Sequence, residues 1–593
     1  KNDLNIIFYF LNINKVLKLL KEYIKGDKDM KFNDFKYERP NYNNVKNILE
    51  DLILELEKAD TWNDAKSAIN KIYDVRSEIE SAREIATIRY TINTKDEFYE
   101  KENEYWDEYS PLYEEINSKF YEVLVNLKYQ DEIEKCYGKQ ILNIAKYSLK
   151  AFSNNIISDM QLENKLASSY QKLIASAKIP FKGEEKTLSE LTPFILSKDR
   201  EIRKEANKAK YEFFTKNEEE IDKIYDKLVK VRDTISKKLG YKNFVELGYV
   251  RMNRFDYNEE MVKKFRKQVE EFIVPVNNKL YERQRKRLGL EKLNYYDEKF
   301  EFLSGNPTPK GGEKWIINNG KKMYTELSTE TKEFFNFMVD NNLMDLVSKK
   351  GKASGGYCTY IPKYKAPFIF SNFNGTSGDV DVLTHEAGHA FQVYRSSYIN
   401  VLECNFPTYE SCEIHSMSME FFAWPWMNLF FKEDTEKYKY LHLGSALKFI
   451  PYGITVDEFQ HFVYKNPNAT PKERKEYWRS LEKKYLPHKN YEECDFLERG
   501  GWWFQQAHIF LDPFYYVDYT LAQICALQFW KKDRENHKEA WEDYLRLCSI
   551  GGLMPFQELV RYANLKSPFE DGCVSEIIKD INRYLESIDD SIL

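Results

Sequence analysis

Histidine is scarce in this sequence and absent from its first 384 residues. All eight histidines lie between residues 385 and 537 of the 593-residue chain. Histidine is the side chain best suited to metal binding and proton transfer near neutral pH. We therefore expect any such chemistry in the last third of the chain.

Three further absences limit the function. None of the eight cysteines belongs to a CxxC pair, so the sequence indicates no thiolate zinc knuckle or redox motif. No segment approaches the ~20 consecutive apolar residues that cross a bilayer, and we expect no membrane partner. The net charge of −6 argues against nucleic acid as the main partner. Without a clear export signal, we expect reduced thiols and a cytoplasmic protein.

The beginning of the chain has its own interpretation. Residues 1–29 are expected to be a non-native or upstream-translated leader, because the chain starts with Lys1 and Met30 opens a stretch typical of a natural start. Back-translation of residues 25–27 allows a ribosome-binding sequence before Met30. The short apolar run that begins at Leu4 is followed by no small-residue cleavage site, so a secretory signal is not indicated. A genuine short amphipathic extension is the alternative.

What is present is ordinary for a globular protein, with 42% apolar and 31% charged residues. Apolar residues recur at spacings of three and four over residues 42–178 and 199–288, and the chain is again mainly helical after Pro407. This period predicts amphipathic helices. Residues 96–129 are predicted to form a long helix pair.

The division into domains follows from helix breakers. Proline and glycine interrupt the helical pattern around residues 179–193. We therefore predict an N-terminal helical domain over residues 30–190 and a second, chemistry-bearing domain over residues 191–593. The length is sufficient for two or more cores or for one large bilobed body.

An HExxH motif lies at residues 385–389. On a helix, His385 and His389 are one turn apart on one face, so two imidazoles can bind one metal ion. Glu386 lies about 100° round the helix, where it can reach a water at the metal without being a ligand. A catalytic zinc also needs a third protein ligand and one open position.

Two β-like segments precede this helix, at residues 357–361 and 368–373, followed by a turn at Asn374. Asp379 is the predicted N-cap of the motif helix. In zinc peptidases, an edge strand beside the metal binds an extended peptide by β-augmentation. A hydrophobic hairpin that merely covers a helix would have the same order of elements.

A second helix after Pro407 carries candidates for the third ligand. Glu410, Glu413 and Glu420 lie near one face of this helix, and spacing alone does not choose among them. The two carboxylates left over could orient the ligand histidines, as could Asp381, one turn before His385. For His415 we favour a structural role between the two helices.

The sequence resembles the oligoendopeptidase F family and, more distantly, thimet oligopeptidase and neurolysin. Five segments carry the resemblance in the same order, at residues 355–360, 370–376, 385–391, 413–420 and 508–516. The resemblance covers Met30 to the C-terminus. It implies that Glu413 is the third ligand of one zinc ion per chain. It also implies a mainly α fold, with a large bilobed helical body, a deep central channel and a small β-sheet next to the HExxH helix.

The resemblance assigns further roles. His508, Tyr515 and Tyr516 would stabilise the tetrahedral oxyanion of peptide hydrolysis, which the metal stabilises only in part. Tyr519 is a further candidate, at the substrate. The assignment among these tyrosines stays open, because the distant relatives have a different local spacing.

The strand around residues 355–360 would bind substrate backbone, and this assigns Gly355, Gly356 and Tyr357 to the substrate. The expected function is a zinc endopeptidase that cuts internal bonds of short unstructured peptides, with Glu386 as general base. A zinc carboxypeptidase or dipeptidase of related fold is one alternative, and a non-catalytic helical peptide-binding protein is another. The oligomeric state is not predicted.

Overall fold

The computed structural model describes residues 30–590 and residue 593. The predicted leader, residues 1–29, lies outside the described residues. Helices dominate the described chain, as the sequence predicts, and two small sheets accompany them, one of which is the predicted sheet next to the HExxH helix. The α-helices, numbered α1 to α25 in chain order, are Tyr42–Glu57, Trp62–Ile92, Glu97–Asn126, Gln130–Tyr137, Gln140–Ala151, Ile157–Ala175, Thr192–Ile195, Arg200–Lys216, Glu218–Lys238, Phe244–Arg251, Glu259–Gln268, Val274–Arg287, Glu313–Leu327, Thr329–Asp340, Gly378–Ser396, Tyr409–Phe422, Asn428–Phe431, Thr435–Lys465, Pro471–Tyr485, Asp495–Glu498, Ala507–Leu511, Tyr516–Glu535, His537–Ile550, Phe556–Tyr562 and Cys573–Ser587.

One helix prediction is wrong. The region predicted as a helix pair is the single helix α3, which continues through Pro111. Proline removes the hydrogen bond to the carbonyl four residues earlier, here that of Asp107. The amide of Asn164 on α6 donates to this carbonyl at 3.1 Å. The orphaned acceptor is therefore satisfied from a neighbouring helix, and α3 does not break.

The two sheets contain five strands. β1 (Ile179–Phe181) and β2 (Glu184–Lys186) form an antiparallel hairpin at the predicted domain boundary. β3 (Met344–Val347), β4 (Tyr357–Ile361) and β5 (Ala366–Phe373) form a sheet in the order β3–β5–β4. β4 and β5 are the two predicted strands, and β4 is an edge strand as expected. β3 pairs in parallel with β5 and was not predicted, because four residues carry too little periodicity.

Two large clusters of buried apolar side chains stabilise the molecule. The smaller is built from helices α1 to α5 and receives Ile399 and Cys404 from the second half of the chain. The larger spans most of the remaining helices, but it also includes Phe32 and Ile88 from the N-terminal region. The cores therefore interlock across the chain, and the division at residue 190 stays a prediction.

A channel lies inside this helical body. Tyr409 is 45% exposed, and Lys299 is also exposed, yet protein atoms surround both side chains as densely as they surround core residues. Such side chains face an internal space. A cavity of about 760 Å³ lies between α2 and the segments that include β4 and residues 397–405. A second cavity, of about 510 Å³, lies between helices α1 to α3 and the segments that include β4 and residues 402–409. In the described part of the chain, no helix is both long and apolar enough to cross a bilayer.

Candidate active site

The turn between β5 and α15 (Gly378–Ser396) fixes where the HExxH motif begins. The carboxylate of Asp379 accepts hydrogen bonds from the backbone N–H groups of Asn374 at 2.9 Å and Gly375 at 2.8 Å. Asp379 is the second residue of the helix, and the N-cap position belongs to Ser377. The N-cap prediction for Asp379 is therefore wrong, because its side chain holds the preceding turn instead of the first helical N–H groups.

A glycine lets the two site helices touch. Gly388 lies between the two histidines of the motif, and α15 packs there against α16 (Tyr409–Phe422). A Cβ atom on Gly388 would lie 2.6 Å from the Cα of Ser416 and 2.7 Å from the carbonyl oxygen of His415. Only glycine allows this approach, which brings the motif face within reach of Glu413.

Three side chains converge between these helices. The Oε2 atom of Glu413 lies 3.1 Å from His385 Nε2 and 3.4 Å from His389 Nε2. One donor atom of each residue falls within 4.8 Å of the other two. Tetrahedral zinc with bonds of about 2.0–2.1 Å separates its donors by about 3.3 Å. The chemistry and spacing of this donor set fit a zinc ion.

Electrostatics agree with a cation site. Burial raises the pKa of Glu413, but His389 and His385 outweigh it and hold the pKa well below its usual range. Burial lowers the pKa of His385, and the carboxylates of Glu413 and Glu420 reverse this and raise it well above its usual value. Buried carboxylate and imidazole thus depend on opposite charge at this point.

Glu420 orients one of the converging histidines. Its Oε1 atom lies 2.7 Å from His385 Nδ1, and its Oε2 atom lies 2.6 Å from His442 Nε2. The indole N–H of Trp424 donates to His442 Nδ1 at 3.1 Å. Trp424 therefore leaves the proton of His442 on Nε2, where it is donated to Glu420. The proton on His385 Nδ1 leaves the Nε2 lone pair directed at the convergence point.

The other two acids predicted to orient the histidines lie elsewhere. Asp381 accepts a hydrogen bond from Tyr438 at 2.7 Å. Burial raises the pKa of Asp381 to about 6, although the charge of His442 opposes this. Glu410 is buried, and burial together with Asp518 raises its pKa well above the usual range. Neither hydrogen-bonds to a motif histidine in the described chain. Sequence reasoning missed His442 and Trp424, because only tertiary packing brings α18 (Thr435–Lys465) to α16.

Glu386 is a buried carboxylate with a free oxygen. Its Oε2 atom has no hydrogen-bond partner, and the residue is 6% exposed. Burial raises its pKa, and the charges of His385 and His389 oppose this. A Cβ atom on Gly356 would lie 3.4 Å from Glu386 Oε1. The segment before β4 therefore passes directly over the free carboxylate.

The predicted substrate strand has a defined attachment. Tyr357 stacks on Phe370 at 4.8 Å between ring centroids, and its hydroxyl lies 2.6 Å from Thr91 Oγ1 on α2 (Trp62–Ile92). Gly355 has a left-handed φ of +92°, and its carbonyl accepts from the Asn372 amide at 2.8 Å. The Tyr357 side chain is thus engaged within the protein, and the backbone of this segment is what faces the site.

His508 and the predicted tyrosines form the opposite wall. The Tyr515 hydroxyl donates to Glu413 Oε1 at 2.6 Å. His508 Nε2 lies 3.1 Å from the Tyr519 hydroxyl, and its Nδ1 accepts from the Gln506 amide at 3.1 Å. Tyr516 contacts His508 through its ring, with centroids 5.3 Å apart. The structure therefore groups the three tyrosines around His508, and Tyr515 joins this group to Glu413.

The environment of this wall keeps it uncharged. Burial lowers the pKa of His508, although Asp512 and Glu413 oppose this. Burial and then Glu413 raise the pKa of Tyr515 and of Tyr519 well above the usual value. A neutral imidazole and protonated phenols can all donate hydrogen bonds.

A strained turn positions two of the tyrosines. Phe514 has a φ of +72°, a region that costs a non-glycine residue about 1–3 kcal/mol. Its N–H donates to Gln460 at 3.0 Å and its carbonyl accepts from Arg254 at 2.6 Å. Its ring packs onto Gly248, where a Cβ atom would lie 2.5 Å from the ring. These contacts hold the turn that presents Tyr515.

Known proteins resemble this chain closely. The family model for the peptidase M3 N-terminal domain matches residues 32–152, and the model for peptidase family M3 matches residues 194–302 and 321–577. An oligoendopeptidase F homolog of Borreliella burgdorferi is 26% identical over 433 residues, 70% of each chain.

Solved structures agree. PZ peptidase A with an inhibitor is 59% identical, with a TM-score of 0.94 over 94% of this chain and 100% of that one. An oligoendopeptidase F structure from Bacillus anthracis, described there as putative, is 55% identical, with a TM-score of 0.90 over 95% and 99% of the two chains. The resemblance found in the sequence is confirmed: the chain belongs to peptidase family M3.

Proposed function

We propose that this chain is a zinc-dependent endopeptidase that hydrolyses internal bonds of short, unstructured oligopeptides. One zinc ion per chain would be held by His385, His389 and Glu413. The observation that carries the proposal is the convergence of three donor atoms within 4.8 Å next to the unpartnered carboxylate oxygen of Glu386. Membership of a peptidase family supports it.

In the proposed mechanism, the zinc ion supplies a Lewis acid and Glu386 transfers the proton. When bound, zinc acts as a Lewis acid toward the attacking water and the scissile carbonyl. Glu386 accepts the proton of that water and delivers it to the leaving amine. Burial raises the pKa of Glu386 and so favours the protonated form that the second step needs.

The opposite wall would stabilise the oxyanion. His508 carries a proton on Nε2, because its Nδ1 accepts from Gln506. That N–H and the phenol O–H groups of Tyr515 and Tyr516 would donate to the developing negative charge. Tyr519 shares a hydrogen bond with His508 and would contact the substrate beside it.

The substrate would lie along the edge of the small sheet. β4 is an edge strand, and the preceding residues Gly355 and Gly356 bring main chain up to Glu386. A peptide added to this edge makes backbone hydrogen bonds, which tolerate many side chains. The internal channel supports selection of flexible oligopeptides over folded proteins. The eight cysteines are free thiols, which supports a reducing compartment such as the cytoplasm.

Replacement of Glu386 by glutamine tests the mechanism. Glu386→Gln should lower kcat on a quenched ten-residue peptide by about 10²- to 10⁴-fold, while zinc content stays at one ion per chain. Glu410→Gln is the matched control, because this buried acid does not hydrogen-bond to the motif histidines. This variant should keep both the wild-type kcat and one zinc ion per chain. Near-normal turnover by Glu386→Gln would refute the proposal.

The choice of substrate is tested separately. A ten-residue peptide with both termini blocked should be cleaved at an internal bond, and a folded protein should not be cleaved. Cleavage only of peptides with a free terminus would identify an exopeptidase. Peptide binding without turnover by the zinc-loaded wild type would identify a binding protein.

A further inference from the structure

Three lysines from separate parts of the chain lie near enough to one another to interact electrostatically. Lys210 lies on α8 (Arg200–Lys216), Lys299 follows α12 (Val274–Arg287), and Lys489 follows α19 (Pro471–Tyr485). Each of them repels its neighbours: Lys299 and Lys489 act on Lys210, and Lys489 acts on Lys299. We call Lys210, Lys299 and Lys489 the lysine cluster.

The lysine cluster has too little negative charge of its own. Lys489 forms an ion pair with Glu298 at 2.7 Å and lies 3.4 Å above the ring of Trp502. Lys210 donates to the neutral amide oxygen of Gln505 at 2.6 Å. Among the described residues, no carboxylate forms an ion pair with Lys210 or Lys299. Three cations therefore share one carboxylate.

Enclosure makes this imbalance costly. The Lys299 side chain is exposed and Lys210 is half-buried, but protein surrounds both, so their ammonium groups lie in a concave part of the molecule. Burial and the neighbouring lysines lower the pKa of Lys210 to about 7. Unpaired enclosed charge is unfavourable, and an anion in the channel would relieve it.

The lysine cluster connects to the catalytic wall. Gln505, the partner of Lys210, is followed by Gln506, whose amide donates to His508 and whose side-chain oxygen accepts from Tyr452 at 2.9 Å. A ligand at the lysine cluster would thus extend toward His508. The anionic group that every unmodified oligopeptide carries is its C-terminal carboxylate.

We propose that the lysine cluster binds the free C-terminal carboxylate of the oligopeptide substrate, an assignment that rests on the proposed function. The substrate then has a fixed direction in the channel, with its C-terminal part on the Gln505 side of His508. Two ammonium groups without carboxylate partners supply the charge-assisted hydrogen bonds. Lys489, held by Glu298, supplies a third positive charge nearby.

The test compares three quenched ten-residue peptides on the zinc-loaded enzyme. They share one sequence and end in a free carboxylate, in a carboxamide, or in a carboxamide with aspartate as the last residue. We expect kcat/KM for the free acid to exceed that for the plain amide by about 10- to 100-fold, mainly through KM, as for charge-assisted hydrogen bonds. The aspartyl amide should be cleaved less efficiently than the free acid, and equal kcat/KM would overturn the assignment to the C-terminal carboxylate.

Variants assign the effect to the lysine cluster. Lys299→Gln and Lys210→Gln should each reduce the ratio between acid and amide toward one. Lys363→Gln is the control, because Lys363 is an exposed lysine paired with Glu78 and should keep the ratio. Lys299 is exposed, so its variant is expected to fold even if the Lys210 variant does not.

The outcomes separate this inference from the proposed function. Equal cleavage of acid and amide by the wild type, or an unchanged ratio in both variants, would overturn the inference and leave the peptidase standing. Loss of all cleavage would count against the peptidase. In that case, calorimetric binding of the acid and the amide to Glu386→Gln still tests the lysine cluster, and equal affinity would overturn it.

Discussion

Replacing Glu420 by glutamine should weaken metal binding without removing a ligand. In the structure, both oxygens of Glu420 accept hydrogen bonds, one from His385 and one from His442. Glutamine preserves the shape but offers one acceptor and one N–H₂ donor. Because Trp424 fixes the proton of His442 on Nε2, the new N–H₂ group must face an N–H on one side.

The magnitude follows from the loss of one buried, charge-assisted hydrogen bond, worth about 1.5–3 kcal/mol. If the N–H₂ group of the new glutamine faces His385 and displaces its ring, the Nε2 lone pair of His385 is no longer held toward Glu413. We therefore expect Glu420→Gln to lower zinc affinity about 10- to 100-fold. Competition with a chromogenic chelator measures this affinity, and excess zinc should restore most of kcat.

The control distinguishes orientation from the general effect of replacing a buried acid on α16. Glu410→Gln also replaces a buried acid of α16, but Glu410 does not hydrogen-bond to His385 or His389, so zinc affinity should stay within about threefold of wild type. If Glu420→Gln bound zinc as tightly as wild type, the hydrogen-bond chain from Trp424 to His385 would not orient the ligand. If both variants lost affinity equally, a general disturbance of α16 would be the cause.

Two further predictions concern the scaffold. Gly248→Ala should displace the ring of Phe514, which leaves only 2.5 Å for a Cβ atom, and so lower kcat with zinc content unchanged; normal kcat would show that the strained turn does not matter. Burial raises the pKa of Glu163, but Arg251 and Arg232 outweigh it and lower the pKa to about 2. This stabilises the fold by about 3 kcal/mol above the unfolded pKa of about 4.5, and the contribution is lost as pH falls from 4.5 to 2. Glu163→Gln should therefore flatten the acid side of the urea-unfolding midpoint against pH, and parallel wild-type and variant profiles would contradict this.

The sequence predicted those parts of the site that depend on local spacing. The helical turn that aligns His385 and His389 is a property of the helix itself, and short apolar segments separated by prolines indicated β4 and β5. Local spacing did not predict the third ligand, because it left several acids as candidates. Only the family resemblance selected Glu413. Its role, like those of the other site residues, stays a proposal.

Features made by tertiary contact were not predictable. His442 reaches Glu420 only because α18 crosses α16, and the lysine cluster joins three distant segments. The helix α3 continues through Pro111, and the donor to the carbonyl that this proline leaves free, Asn164, lies on another helix. In each case the deciding partner is far away in the sequence, where periodicity carries no information.

The missing side chain at Gly388 has a consequence for the choice of ion. Main chain meets main chain at this point, so the spacing between the motif helix and the helix of Glu413 is set by van der Waals contact and cannot shrink. Calcium requires six to eight oxygen ligands at about 2.3–2.6 Å. A site with two imidazole nitrogens and one carboxylate does not provide them. The contact between the two backbones would thus limit the size of the ion that fits, in addition to the preference of the ligand atoms for one metal.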